Sequence, residues 1–210
     1  MDFFFIEYQK IKRFLEENYK VILILGVSTL SLTLQWYRPI RALPAFSYIF
    51  YYMLLPVFVT YFLLKDNPLQ YGFTLGDYNI WLPYVGITIF ITIPVLLLAS
   101  RFSQVYRYYG KGFSYYEFFI LTLPTLLAWE YLLRGFLLFG LKERFGEASI
   151  IIQMVPFVLL HLGKPEIETL SCIITGLWFG WVAYRGKSFW PAFIIHVFIN
   201  FTVSFLVNNY

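Results

Sequence analysis

The feature that most constrains this chain is a succession of long apolar runs separated by short polar connections. Residues 21 to 37, 43 to 64, 79 to 99 and 189 to 207 contain no Lys, Arg, Asp or Glu at all. A hydrocarbon core about 30 Å thick is crossed by about 17 to 25 residues of helix, and lipid offers no partner for an unpaired backbone amide. The expected fold is therefore all-α: a polytopic transmembrane helical bundle of about seven spans, adding segments near 115 to 140, 148 to 162 and 167 to 184. With 60% hydrophobic and 13% charged residues, the chain has too little charge to cover a soluble surface, so residues 21–210 read as one embedded bundle.

The connections YRPIRALP, KDNPLQYGFTLGDYN, RFSQVYRYYGKG, KERFGE, GKPE and RGKS are rich in Gly, Pro and charge, as loops are. Trp36, Trp81 and Trp190 stand beside them, where interfacial anchors are expected. Pro56, Pro94, Pro124 and Pro156 lie inside spans and predict kinks. Gly176 and Gly180 form a GxxxG pair that predicts a close helix contact.

Residues 1–20 carry no signal-peptide core. Instead Phe4, Tyr8, Ile11, Phe14 and Leu15 share a helical face, and the segment reads as an interfacial amphipathic helix. Lys and Arg are slightly more frequent on the side of the N-terminus and of KERFGE, which favours that side as cytoplasmic. The net charge of +4 sits mostly in loops and suits anionic lipid; no basic patch with stacking residues points to nucleic acid. Cys172 is the only cysteine and is expected to be a packing residue, with no disulfide framework.

Against this background a few polar residues are out of place. Glu130 and Arg134 lie within LLAWEYLLRGFLLFG, one helical turn apart. The two histidines of the chain, His161 and His196, also fall in apolar segments, and Asn200 follows His196 by one turn. Ionisable groups in a span are expensive unless paired or facing a wet cavity, so they are functional candidates. At 1.5 Å per residue from the side of KERFGE and RGKS, Glu130 lies about 16 Å deep, His161 about 20 Å, His196 about 10 Å and Asn200 about 16 Å. All four can meet near the membrane middle.

Such a set supports two chemistries. A carboxylate can activate water, an imidazole can share the proton, and a second imidazole with an amide can stabilise an oxyanion, which suits amide hydrolysis. Alternatively Glu130, His161 and His196 can supply three ligands to a catalytic zinc ion. The bland readings are a structural ion pair for Glu130 and Arg134, and satisfied core histidines.

The order WEYLLRG, FVLLH and HVFIN resembles the motifs EExxxR, FxxxH and HxxxN of the CAAX protease and bacteriocin-processing (CPBP, or Abi) family of intramembrane proteases. YGFTLG, HLGKPE and the stretch GLWFGWVAYRGKSFWPAFIIH are also similar, so the likeness covers roughly residues 70–205. It implies a multi-helix membrane fold and proteolysis of a peptide or protein substrate, lipidated for eukaryotic members. It also implies residence in a cell membrane, here a bacterial inner membrane. Residue by residue, Phe157 and His161 match the second motif, His196 and Asn200 the third, and Glu130 and Arg134 the second Glu and the Arg of the first.

Trp129 stands where the family's first Glu, its usual water-activating residue, belongs. The resemblance thus implies Glu130 as general base oriented by Arg134, His161 sharing its proton, and His196 with Asn200 as the oxyanion pocket. Adjacent helical positions differ by about 100°, so this takeover requires the helix to be turned or distorted. The alternative is a catalytically silent member acting in bacteriocin immunity or as a membrane scaffold. Phe157 is expected to pack, and Glu117, Glu166 and Glu168 to be interfacial or loop charges. A transporter is disfavoured, because no internal repeat pairs two broken helices.

Overall fold

A computed structural model describes residues 3–209. They form nine helices, with no strand among the described residues. Helix α1 (Phe3–Glu17) buries none of its side chains, and Lys10 pairs with Glu7 and Arg13 with Glu17 along its surface, both at 2.7 Å. Its Phe4, Tyr8, Ile11 and Leu15 side chains are exposed along the helix.

Six helices are long and apolar enough to cross a membrane: α2 (Tyr19–Tyr37), α3 (Pro44–Phe62), α4 (Tyr78–Ala99), α6 (Tyr115–Phe145), α8 (Glu166–Gly186) and α9 (Trp190–Asn209). A short helix α5 (Ser103–Tyr109) lies in the connection between α4 and α6. The seventh expected span is different. Helix α7 (Ala148–Leu159) has 12 residues, about 18 Å of rise, and stops short of the far surface. Its chain then turns through residues 160–165 and delivers His161 to the interior.

Helix α6 is the centre of the bundle. Residues 130–138 are all buried, whereas the other spans turn large apolar side chains such as Phe90, Leu98 and Ile174 outward. Three stretches have i→i+5 bonding: Phe50–Leu54 in α3, and Phe118–Thr122 and Tyr131–Leu137 in α6. The first two end just before Pro56 and Pro124, whose missing N–H disrupts the regular ladder. The third has no proline beside it and begins at the residue after Glu130. Wide turns of this kind concentrate at functional sites.

The GxxxG contact forms as expected. A Cβ at Gly176 would meet Phe157 and Met154, and one at Gly180 would meet Gln153 and Ile150, so α8 approaches α7 closely. Gln153 secures the contact by donating to the Gly176 carbonyl at 2.8 Å. This packing places the end of α7 against the middle of α8.

The start of α9 is held by a clasp. Within YGFTLG, the carbonyl of Gly72 accepts from the Phe189 amide at 3.1 Å, that of Thr74 from Ser188 Oγ at 2.7 Å, and that of Phe73 from Trp190 Nε1 at 2.8 Å. The Asp77 amide donates to the Gly186 carbonyl at 2.8 Å, and Trp81 Nε1 donates to the Leu75 carbonyl at 2.7 Å. Trp81 and Trp190 therefore serve this clasp and are not the outward anchors their positions suggest; Trp36, 80% exposed, keeps that role. Gly76 has φ +61°, and a Cβ there would collide with the Gly186 carbonyl. Gly76→Ala is expected to destabilise the protein by about 2 kcal/mol or more, and thermal unfolding in detergent would reveal it.

Candidate active site

The side chains singled out above lie close together: the Glu130–Arg134 pair forms as expected, but the histidine that meets Glu130 is not the expected one. Glu130 and Arg134 are both 0% exposed, and the Arg134 Nη1 donates to Glu130 Oε1 at 3.1 Å. The same oxygen lies 2.6 Å from His196 Nδ1. Glu130 is thus bonded to His196; the expected partner, His161, turns its Nδ1 to the Phe157 carbonyl at 2.8 Å. The wide turn Tyr131–Leu137 supplies the distortion that a displaced Glu130 requires, and directs the carboxylate toward α9.

Arg134 is encased in aromatic rings. Its guanidinium carbon is 4.0 Å from the Phe157 ring centroid and 5.3 Å from that of Phe179. Among the described residues Glu130 is its only hydrogen-bond acceptor, and Arg134 Nε, Arg134 Nη2 and Glu130 Oε2 have no protein partner. Phe157 packs as expected, and also meets both histidine rings edge-on, at 4.5 Å for His161 and 5.8 Å for His196. The two imidazoles are nearly parallel, 27° apart, with centroids separated by 6.1 Å.

His161, His196 and Asn200 border one cavity of about 180 Å³ between α4, α5, α8 and α9. Its walls are mainly apolar, including Val95, Leu96, Ile167 and Val203. Glu130 does not border it. Asn200 also borders a second hollow, of about 280 Å³, together with Trp129 and Lys164. The Trp129 ring meets that of His161 in a T-shaped contact at 5.6 Å. The indole at the position of the first motif's leading Glu therefore packs against His161.

Three further cavity residues escaped the sequence reading. Glu168, grouped there with loop charges, borders the cavity and accepts from Tyr109 Oη at 2.8 and 2.9 Å and from Lys164 at 3.0 Å. Burial and the neighbouring Glu168 carboxylate hold the Tyr109 phenol well above its usual range, so it remains a donor. Cys172 is buried and free, and borders the same cavity one turn after Glu168. The only sequence signal for Glu168 was its position eight residues before Gly176 on the same helix; Tyr109, 59 residues away, belongs to a tyrosine-rich stretch that reads as a membrane belt.

No group of three His, Cys, Asp or Glu side chains among the described residues is placed to hold a metal ion. His161 Nδ1 is committed to a carbonyl, and Glu130 Oε1 to His196 and Arg134.

Fold and site together define a polytopic helical membrane protein with a buried Glu–Arg–His cluster beside an apolar cavity. Residues 111–202 match the family described as Type II CAAX prenyl endopeptidase Rce1-like, and that stretch contains all three motifs. This is similarity over less than half of the chain, to the same type of CAAX protease that the motifs resemble. No curated protein and no solved structure matches the chain.

Proposed function

We propose that this protein is an intramembrane endopeptidase of a bacterial inner membrane, hydrolysing a peptide bond in a membrane-associated peptide or protein. The observation that carries the reading is the buried pairing of His196 Nδ1 with Glu130 Oε1 at 2.6 Å, on a ring that borders a cavity shared with His161 and Asn200. An ionised carboxylate only accepts hydrogen bonds, so Nδ1 carries the proton and Nε2 is left free to take one.

This favours a different division of labour from the one implied by the resemblance. His196 Nε2 accepts a proton from water as the water oxygen attacks the scissile carbonyl, and Glu130 balances the imidazolium that forms. The carbonyl electrons move to oxygen, where the Asn200 amide donates to the oxyanion. His161 has Nδ1 donating to Phe157, so its Nε2 accepts the second hydrogen of the water and orients it. On collapse the C–N bond breaks and the proton on His196 passes to the leaving amine. Arg134 holds the Glu130 carboxylate in place through its Nη1 hydrogen bond.

The apolar cavity walls suit an apolar or lipidated group beside the scissile bond. The test is cleavage by the full chain in proteoliposomes of a farnesylated CAAX peptide and its unlipidated counterpart, with new termini identified by mass spectrometry. Cleavage of at least one peptide is expected, reduced about 10⁴-fold in His196→Ala. A His196→Ala protein as active as the unaltered one would eliminate the assignment.

One observation favours a second reading, a catalytically silent immunity or scaffolding protein: Trp129 packs against His161 where the family has a carboxylate. A host phenotype that survives simultaneous alanine replacement of Glu130, His161 and His196 would establish it.

A further inference from the structure

On the opposite side of the bundle from the catalytic cavity, at the ends of α6 and α8, lies a polar hollow of about 780 Å³. Five charged side chains border it: Lys20, Asp66, Lys142, Glu143 and Lys187. Both carboxylates are already engaged, because Lys20 Nζ bridges Asp66 at 3.0 Å and Glu143 at 2.9 Å, and Tyr71 Oη donates to Asp66 at 2.8 Å. Lys142 and Lys187 make no ion pair among the described residues. Lys142 instead sits over the Tyr184 ring, 4.1 Å from its centroid.

The backbone of Lys187 gives an independent indication. It caps α8 in the left-handed conformation, φ 53° and ψ 35°, where glycine is the favoured residue. Along with Lys65, in the neighbouring connection, it is one of two non-glycine residues described with positive φ. The position sacrifices backbone comfort to present an ammonium group to a concavity that already holds a second cation without an anion. Gln70 and Thr74, on the facing loop, add neutral hydrogen-bonding groups.

We propose that this hollow binds a phosphate group, with Lys142 and Lys187 as its cationic ligands and Thr74 and Gln70 as neutral donors. Lysine is a common point-charge partner of phosphate, and lysines at a membrane face attract anionic headgroups. The source is the headgroup of an anionic phospholipid or free phosphate, and the two are separable. The site is independent of the catalytic cavity and of whether the protein is a peptidase.

The test uses the full chain in phosphatidylcholine nanodiscs, followed by thermal unfolding, against nanodiscs that include phosphatidylglycerol and, separately, against added inorganic phosphate. The comparison is the double variant Lys142→Gln/Lys187→Gly. Glycine relieves the left-handed backbone, so this variant is expected to unfold no earlier than the unaltered protein in phosphatidylcholine alone. The unaltered protein is expected to gain about 3 °C in midpoint from phosphatidylglycerol, with binding about 30-fold weaker in the variant. A gain from inorganic phosphate that the variant loses would identify a soluble anion as the occupant. No gain from either probe, or an equal gain in the variant, would overturn the proposal.

Discussion

Replacing Arg134 with methionine is expected to lower the stability of the protein by about 3 to 5 kcal/mol, because it strips a wholly buried carboxylate of its only permanent countercharge. Glu130 is 0% exposed and bonded at Oε1 alone, to Arg134 Nη1 and His196 Nδ1. Methionine has the length to fill the slot between the Phe157 and Phe179 rings, so lost packing contributes little to the change. What remains is an anion in a low-dielectric interior with one imidazole as partner. The double variant Glu130→Gln/Arg134→Met removes both charges and is expected to recover most of the loss. Unfolding midpoints of the four proteins in one detergent would give the coupling between the two sites. If the single and double variants lose equal stability, the ion pair is not what holds this part of α6 in place.

The same pair shows what could be read from the sequence. The four-residue spacing of Glu130 and Arg134 predicted their contact, and helical depth predicted one layer for His161, His196 and Asn200, which line one cavity. These follow from helical periodicity and from depth, which are properties of local sequence. The partner of Glu130 was not legible, since it depends on the wide turn at Tyr131–Leu137, and no proline or other breaker announces that turn. The length of α7 was hidden for a related reason. Its apolar run continues through Leu159 and Leu160 and resumes at Leu162 after His161, and hydropathy cannot show that the helix ends at Leu159 and the chain turns. Glu168 looked like a loop charge because only the fold brings Tyr109 to it. Trp81 and Trp190 resembled interfacial anchors because their indole N–H groups find carbonyls in a loop more than 100 residues away for one and six residues away for the other.

The departure at Trp129 acquires a physical meaning in this arrangement. A carboxylate at that position would approach His161; an indole instead presents its edge to the ring and leaves the histidine's Nδ1 on the Phe157 carbonyl. The remaining carboxylate of the motif is turned inward by the wide turn and meets the other histidine. The proposed reaction therefore depends on Glu130 as a positioning residue acting through His196, not as the group that meets water.

The most direct test of that claim is the turnover of the Glu130→Gln protein in proteoliposomes, measured per folded molecule on a peptide the unaltered protein cleaves. Glutamine keeps the shape but cannot enforce the His196 tautomer or balance an imidazolium, so kcat is expected to fall about 10³- to 10⁴-fold with KM little changed. A kcat within about threefold of the unaltered protein would contradict the account.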